Sequence, residues 1–180
     1  MTGPRIIAGA WKGRRLITPT GGETRPTNIR ARQAVFDILA HAPWCRLRGA
    51  QVLDVFAGTG AYGLEALSRG AEAASFIEQA PAALAALRAN LAACQAQNAR
   101  VVSADALHPP AGTIQDLVFL DPPYGKSLLA PAVVALQRQG WIGTGTLVIA
   151  EAGPGDEVSL TNEPLLSRRH GKAQLTIWQV

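Results

Sequence analysis

Acidic residues are scarce at the start of this chain. Residues 1–50 hold only Glu23 and Asp37 against nine Lys and Arg, a formal +7, whereas the other 130 residues hold eleven acids and eight bases, a formal −3. A segment so short of acid suits a polyanionic partner. Cysteine is nearly absent too. Cys45 and Cys94 have no CxxC spacing and no neighbouring His, which excludes a disulfide framework and leaves two free thiols. His41, His108 and His170 lie far apart, so no metal is expected. No apolar run approaches the ~20 residues that span a bilayer. "MTGPRIIAG" lacks the apolar core of a secretory leader. These absences point to a cytoplasmic protein. The 180 residues are enough for one domain with a real core.

What is present falls into two parts. "RIIAG" and "RRLITP" flank "AWKG" and predict a basic β-hairpin extension over residues 1–26. The remainder, 27–180, opens with "RPTNIRARQAVFDILAH", in which Thr27 or Asn28 caps a helix and Ile29, Val35, Phe36 and Leu39 recur at helical spacing. Arg25, Arg30 and Arg32 crowd the start of that helix. The helix macrodipole disfavours cations there, so an external anion is expected to hold them. Beyond "RLRG", apolar strands alternate with helices: "AQVLDVF", a Gly-rich turn and helix, "AEAASFIEQ", a helix with Pro81 in its first turn, "ARVVSAD", "DLVFLD", a helix carrying Pro131, and "TGTLVIAEA". Two last strand-like runs without a helix between them predict a closing hairpin. The fold class is α/β, a mostly parallel sheet with helices on both faces and one antiparallel strand.

"VLDVFAGTGAYGLEAL" places Gly58, Gly60 and Gly63 in GxGxxG spacing between a strand and a helix. Such a loop brings backbone close to a ligand and suits either a pyrophosphate or an adenosyl-methionine skeleton. Glu78 ends the second strand, where a carboxylate can accept both hydroxyls of an adenosine ribose. Two further acids separate the readings. Asp54 lies inside the first strand, and a buried carboxylate needs a partner; the amino group of a methionine moiety supplies one, whereas a pyrophosphate is repelled. Asp105 closes the third strand and can accept from an adenine amine. With Asp121 closing the fourth strand, acids collect at the strand ends where open α/β sheets bind ligands. An acidic pocket suits a sulfonium cation.

Residues 52–124 resemble the class I S-adenosylmethionine-dependent methyltransferases. Together, "RIIAGAWKGRRL", "RPTNIRARQAVFDIL", "FAGTGAYGLEALSRGA" and "LVFLDPPY" resemble, over essentially the whole chain, the bacterial family that methylates N2 of guanine 966 in 16S ribosomal RNA. The resemblance implies a Rossmann-like sheet of seven strands with an N-terminal β-hairpin extension. It places S-adenosylmethionine against Asp54, Phe56, Ala57, Gly58, Gly60, Glu78, Asp105 and Ala106. The base goes to Asp121, Pro122 and Tyr124, and RNA phosphates to Arg5, Lys12, Arg14, Arg15, Arg25, Arg30 and Arg32. The implied partner is 16S RNA or the 30S particle, met by a monomer. The chemistry fits these residues. An exocyclic amine is a poor nucleophile because its lone pair is delocalised. The Asp121 carboxylate and the Pro122 carbonyl can each accept one N–H and turn the lone pair out of the ring plane. Proline fixes φ and removes a competing donor. Tyr124 can stack on a splayed-out base.

"DPPY" serves an adenine amine equally well, so a DNA adenine-N6 methyltransferase is the main rival, although 180 residues leave little room for a separate target-recognition region. An RNA-binding module without catalysis and a nicotinamide-linked oxidoreductase are the others.

Overall fold

The computed structural model describes residues 3–19, 29–153, 156, 160, 163–170 and 173–180. Its elements, in chain order, are α1 (Ile29–His41), β1 (Gln51–Val55), α2 (Ala61–Ser68), β2 (Ala73–Glu78), α3 (Pro81–Cys94), β3 (Ala99–Ser103), β4 (Leu117–Leu120), α4 (Leu129–Arg138), β5 (Leu147–Ala152), β6 (Leu166–His170) and β7 (Ala173–Gln179). The strands form one seven-stranded sheet in the order β3-β2-β1-β4-β5-β7-β6. All pairings from β3 to β5 are parallel; β7 runs antiparallel to both β5 and β6. The expected α/β sheet with a closing hairpin is therefore present. The proposed cap residues Thr27 and Asn28 lie outside the described residues.

Alternation along each strand divides the core in two. Val52, Phe76, Leu117, Phe119, Leu147 and Ile149 face one way, where they meet Phe36 and Leu39 of α1, Leu64 of α2 and Leu87 of α3. Leu53, Val55, Ile77, Val118, Leu120 and Val148 face the other way and meet Val133 and Leu136 of α4, with Trp141 beyond them. By the same parity Asp54, Glu78 and Glu151 fall on the α1–α2 face. Ile29, expected on the buried stripe of α1, is exposed; the stripe runs instead through Ala31, Arg32, Val35, Phe36 and Leu39.

The N-terminal segment is folded onto α2 and α3. Arg5 and Arg15 form an antiparallel bridge, and the Leu16 amide donates to Pro4 O at 2.8 Å. Ile6 and Leu16 join the α1–α2 core. Glu65 of α2 accepts the Ile7 and Ala8 amides at 2.7 and 3.0 Å. Asn90 of α3 clasps Ile17 from both sides, accepting its amide at 2.7 Å and donating to its carbonyl at 3.0 Å. Among the described residues, no helix is long and apolar enough to cross a membrane.

Candidate active site

The Gly-rich loop is shaped by close packing. Gly60 starts α2 with φ +79, a left-handed conformation that glycine adopts without steric cost. Gly63 has no such φ but sits against β2, where an added Cβ would lie 2.3 Å from the Phe76 ring. Phe56 adopts φ +59, a conformation uncommon outside glycine and typical of strained functional turns. No side chain from the loop itself caps α2. The cap comes from β1: Asp54, 2% exposed, accepts the Gly63 amide at 2.8 Å. It thereby satisfies one of the orphan donors of the first helical turn. Burial raises the Asp54 pKa to about 7, against the lowering effect of the Gly63 amide.

Glu78 braces the same loop from β2. One oxygen accepts the Gly58 amide at 2.8 Å, and the other accepts the Gln79 and Ala80 amides, also at 2.8 Å. The partners expected for these acids are ligand groups, an amino group for Asp54 and ribose hydroxyls for Glu78; in the structure both acids take backbone amides.

The two acids open onto a cavity of about 540 Å³ at the C-terminal ends of β1, β2 and β4. Of the cofactor residues expected from sequence, Asp54, Phe56, Ala57, Gly58, Glu78 and Ala106 line it. Gly60 does not; it lies beneath the loop, where its nearest side-chain neighbour is Leu87. Asp105 does not either. Its carboxylate takes the Leu107 amide at 3.0 Å and His108 Nδ1 at 3.0 Å, and these two contacts hold its pKa below the usual range. Ala104 and Ala106 form the wall at that point. The cavity also takes Thr59, Tyr62 and Lys126, which sequence reasoning missed, and Pro4 and Thr18 of the N-terminal segment.

Asp121, Pro122 and Tyr124 line the opposite wall. The Tyr124 hydroxyl donates to Glu151 Oε1 at 2.7 Å, and the Tyr62 hydroxyl to Glu151 Oε2 at 3.2 Å. Burial, then the nearby charges of Asp121 and Glu151, push the Tyr62 phenol well above its ordinary pKa, so it remains a neutral donor. The Tyr62 ring stacks on Phe119 of β4 at 5.1 Å between centroids, and Phe36 of α1 completes the group. Glu151 was not foreseen, yet β5 repeats the pattern of a strand ending in an acid of the same parity as Asp54 and Glu78.

Of the arginines and the lysine assigned to RNA, Arg5, Lys12, Arg14, Arg15 and Arg30 are exposed, and Arg25 lies outside the described residues. Arg32 corrects the expectation. It is 0% exposed, donates through Nη2 to Arg5 O, and lies 3.9 Å from Glu65, itself 0% exposed. Burial lowers its pKa, with Glu65 opposing. The anion that this helix-start arginine needs is internal, so Arg32 cannot grip a phosphate.

One known family, two proteins and one solved structure bear on this geometry. The family described as conserved hypothetical protein 95 matches residues 4–179. The "Ribosomal RNA small subunit methyltransferase D" of Escherichia coli K12 is 43% identical over 150 residues, covering 82% of this chain and 74% of the relative. The protein of the same name from Haemophilus influenzae is 35% identical over 153 residues, covering 82% and 77%. A solved Escherichia coli structure, the candidate methyltransferase yhhF, superposes with a TM-score of 0.84 at 36% identity, covering 98% of this chain and 97% of that one.

Proposed function

The chain belongs to the conserved hypothetical protein 95 family, and from that premise we propose that it is an S-adenosylmethionine-dependent methyltransferase acting on the exocyclic N2 amine of a guanine in 16S ribosomal RNA. One observation carries this reading. Asp54 and Glu78 from the Gly-loop side and Asp121, Pro122 and Tyr124 from the DPPY side line one cavity. Pro4 and Thr18 at its rim belong to the same segment as exposed Arg5, Arg14 and Arg15.

The lining chemistry fits the cofactor. Three carboxylates, Asp54, Glu78 and Asp121, reach the cavity, and Lys126 is the only basic residue among its described lining residues. That balance favours a cation over a pyrophosphate. Asp54 would hold the amino group and Glu78 the ribose hydroxyls, through lone pairs left after the backbone amides are satisfied. Bound there, S-adenosylmethionine supplies an electrophilic methyl group on a sulfonium. The Asp121 carboxylate and the Pro122 carbonyl each accept one N–H of the base amine and aim its lone pair into the cavity. Tyr124 holds the ring, a stacking contact worth about 1–3 kcal/mol. Positioning of this kind provides most of the acceleration. The exposed basic residues of the first fifty grip phosphates of the RNA backbone. The working form is a monomer in the cytoplasm, with 16S RNA or the 30S particle as its partner.

The test is methyl transfer from labelled cofactor to 30S particles, naked 16S RNA and duplex DNA, with mass mapping of the labelled nucleotide. Label on guanine N2 of the small-subunit RNA is expected; label confined to DNA adenine overturns the reading.

A further inference from the structure

Glu151 is 7% exposed on β5 and is not among the residues lining the cavity, yet it holds two groups that are. Each carboxylate oxygen takes one phenol: Tyr124 from the DPPY loop at 2.7 Å and Tyr62 from the first turn of α2 at 3.2 Å. A carboxylate accepts and never donates when ionised, so both tyrosine hydroxyls are fixed as donors. The residues after β5 grip the same loop twice more. Gly153 lies so close to Tyr124 that an added Cβ would stand 2.4 Å from Cγ and 2.6 Å from Cβ of the tyrosine. Asp156 accepts the Gly125 amide at 3.1 Å and the Gly153 amide at 3.2 Å. Ring tip, ring base and following backbone are thus referred to one strand end. A buried carboxylate is costly unless it is fully hydrogen-bonded, and a brace for packing alone would not need one.

We propose that Glu151 is a positioning residue for methyl transfer, setting the Tyr124 ring against the base and, through Tyr62, registering that ring to the helix that carries the cofactor loop. The proposal rests on the reading of Tyr124 as the residue that holds the base. Glu151 touches neither substrate nor cofactor. It acts by fixing where the amine stands relative to the methyl donor, so its loss falls on kcat. RNA affinity, supplied by the basic segment, stays put.

The experiment is steady-state methylation of the RNA substrate by Glu151→Gln, Tyr124→Phe, Tyr62→Phe, Tyr124→Ala and the double variant Glu151→Gln/Tyr124→Phe. Binding of S-adenosylhomocysteine and thermal melting are measured beside it. Glu151→Gln and Tyr124→Phe are each expected to lower kcat between about tenfold and a hundredfold, the scale of a small misplacement of reacting groups. KM for RNA and S-adenosylhomocysteine affinity stay within about twofold. Because both act through one hydrogen bond, the double variant is no slower than the slower single. Tyr62→Phe gives a smaller loss. Should Glu151→Gln fail to fold, Tyr124→Phe reads the same bond with the carboxylate intact. Losses that multiply in the double variant, or that follow melting temperature and vanish on cooling, overturn the proposal. A crippled Tyr124→Ala beside normal Tyr124→Phe and Glu151→Gln overturns the role of Glu151 alone. A fully active Tyr124→Ala overturns the reading of Tyr124, and the proposal with it.

Discussion

The two walls of the cavity use carboxylates in opposite ways. On the Gly-loop side, Asp54 and Glu78 spend hydrogen bonds on backbone amides, those of Gly58, Gly63, Gln79 and Ala80. They fix the course of a loop that has little side-chain structure of its own. On the DPPY side, Glu151 binds side-chain hydroxyls and fixes the pose of a ring whose backbone is already stiffened by Pro122 and Pro123. On the first wall the acids hold backbone; on the second the acid holds side chains. The first arrangement resists change in conformation, the second change in orientation, and substitutions separate them.

The largest expected effect is on the DPPY wall. Asp121→Ala removes the proposed acceptor of the amine and is expected to lower kcat by about 10²–10³-fold, the range for losing one preorganised electrostatic contact. S-adenosylhomocysteine binding and RNA retention on a filter stay near wild type. A parallel loss of cofactor affinity would place Asp121 on the other wall.

Arg32→Ala comes next, and its effect is on stability. Breaking a buried ion pair and freeing the Arg5 carbonyl is expected to cost roughly 3 kcal/mol in urea unfolding. The salt dependence of RNA binding by the folded fraction is unchanged. Arg15→Ala, exposed on the same segment, does the reverse: melting is unaltered, and the slope of log affinity against log salt falls by about 1. An Arg32→Ala protein of full stability would return that residue to the RNA surface.

On the Gly-loop wall the effect is on protons. The Asp54 pKa rises from 3.8 to about 7 on folding, so the native state holds a proton that the unfolded chain has lost. Stability from this group is therefore given up as pH climbs from about 4 to about 7. Asp54→Asn, which keeps an acceptor for the Gly63 amide, flattens that part of the melting-temperature profile. A bound ammonium or sulfonium pulls the carboxyl back to its ionised form. Cofactor binding near pH 7 is thus expected to release protons, measured by calorimetry in buffers of different ionisation heat, and fewer in Asp54→Asn.

The sheet and its Gly loop were legible in the chain because their signals are local: apolar runs of strand length, glycines where a helix begins, an acid closing each strand. The residues that escaped reading depend on distant partners. Arg32 looks like any other exposed cation of a basic helix until Glu65, on the next helix, is placed beneath it. Asp105 matched the pattern of a strand-end acid, but His108 and the Leu107 amide turn its carboxylate away from the cavity wall. Tyr62 is one more residue of the α2 start until β5 brings Glu151 to its hydroxyl. Glu151 shares the parity of Asp54 and Glu78, but nothing local says that its two oxygens hold two phenols.

The N-terminal segment has a consequence for the order of assembly. Its amides are held by Glu65 and Asn90, 58 and 73 residues further along the chain. This segment therefore has no seat until α2 and α3 have formed. Such distant closures are the slow ones, so the basic surface and the part of the cavity wall that Pro4 and Thr18 supply are assembled only once both helices are in place. Until then the polypeptide carries its densest positive charge on an undocked segment.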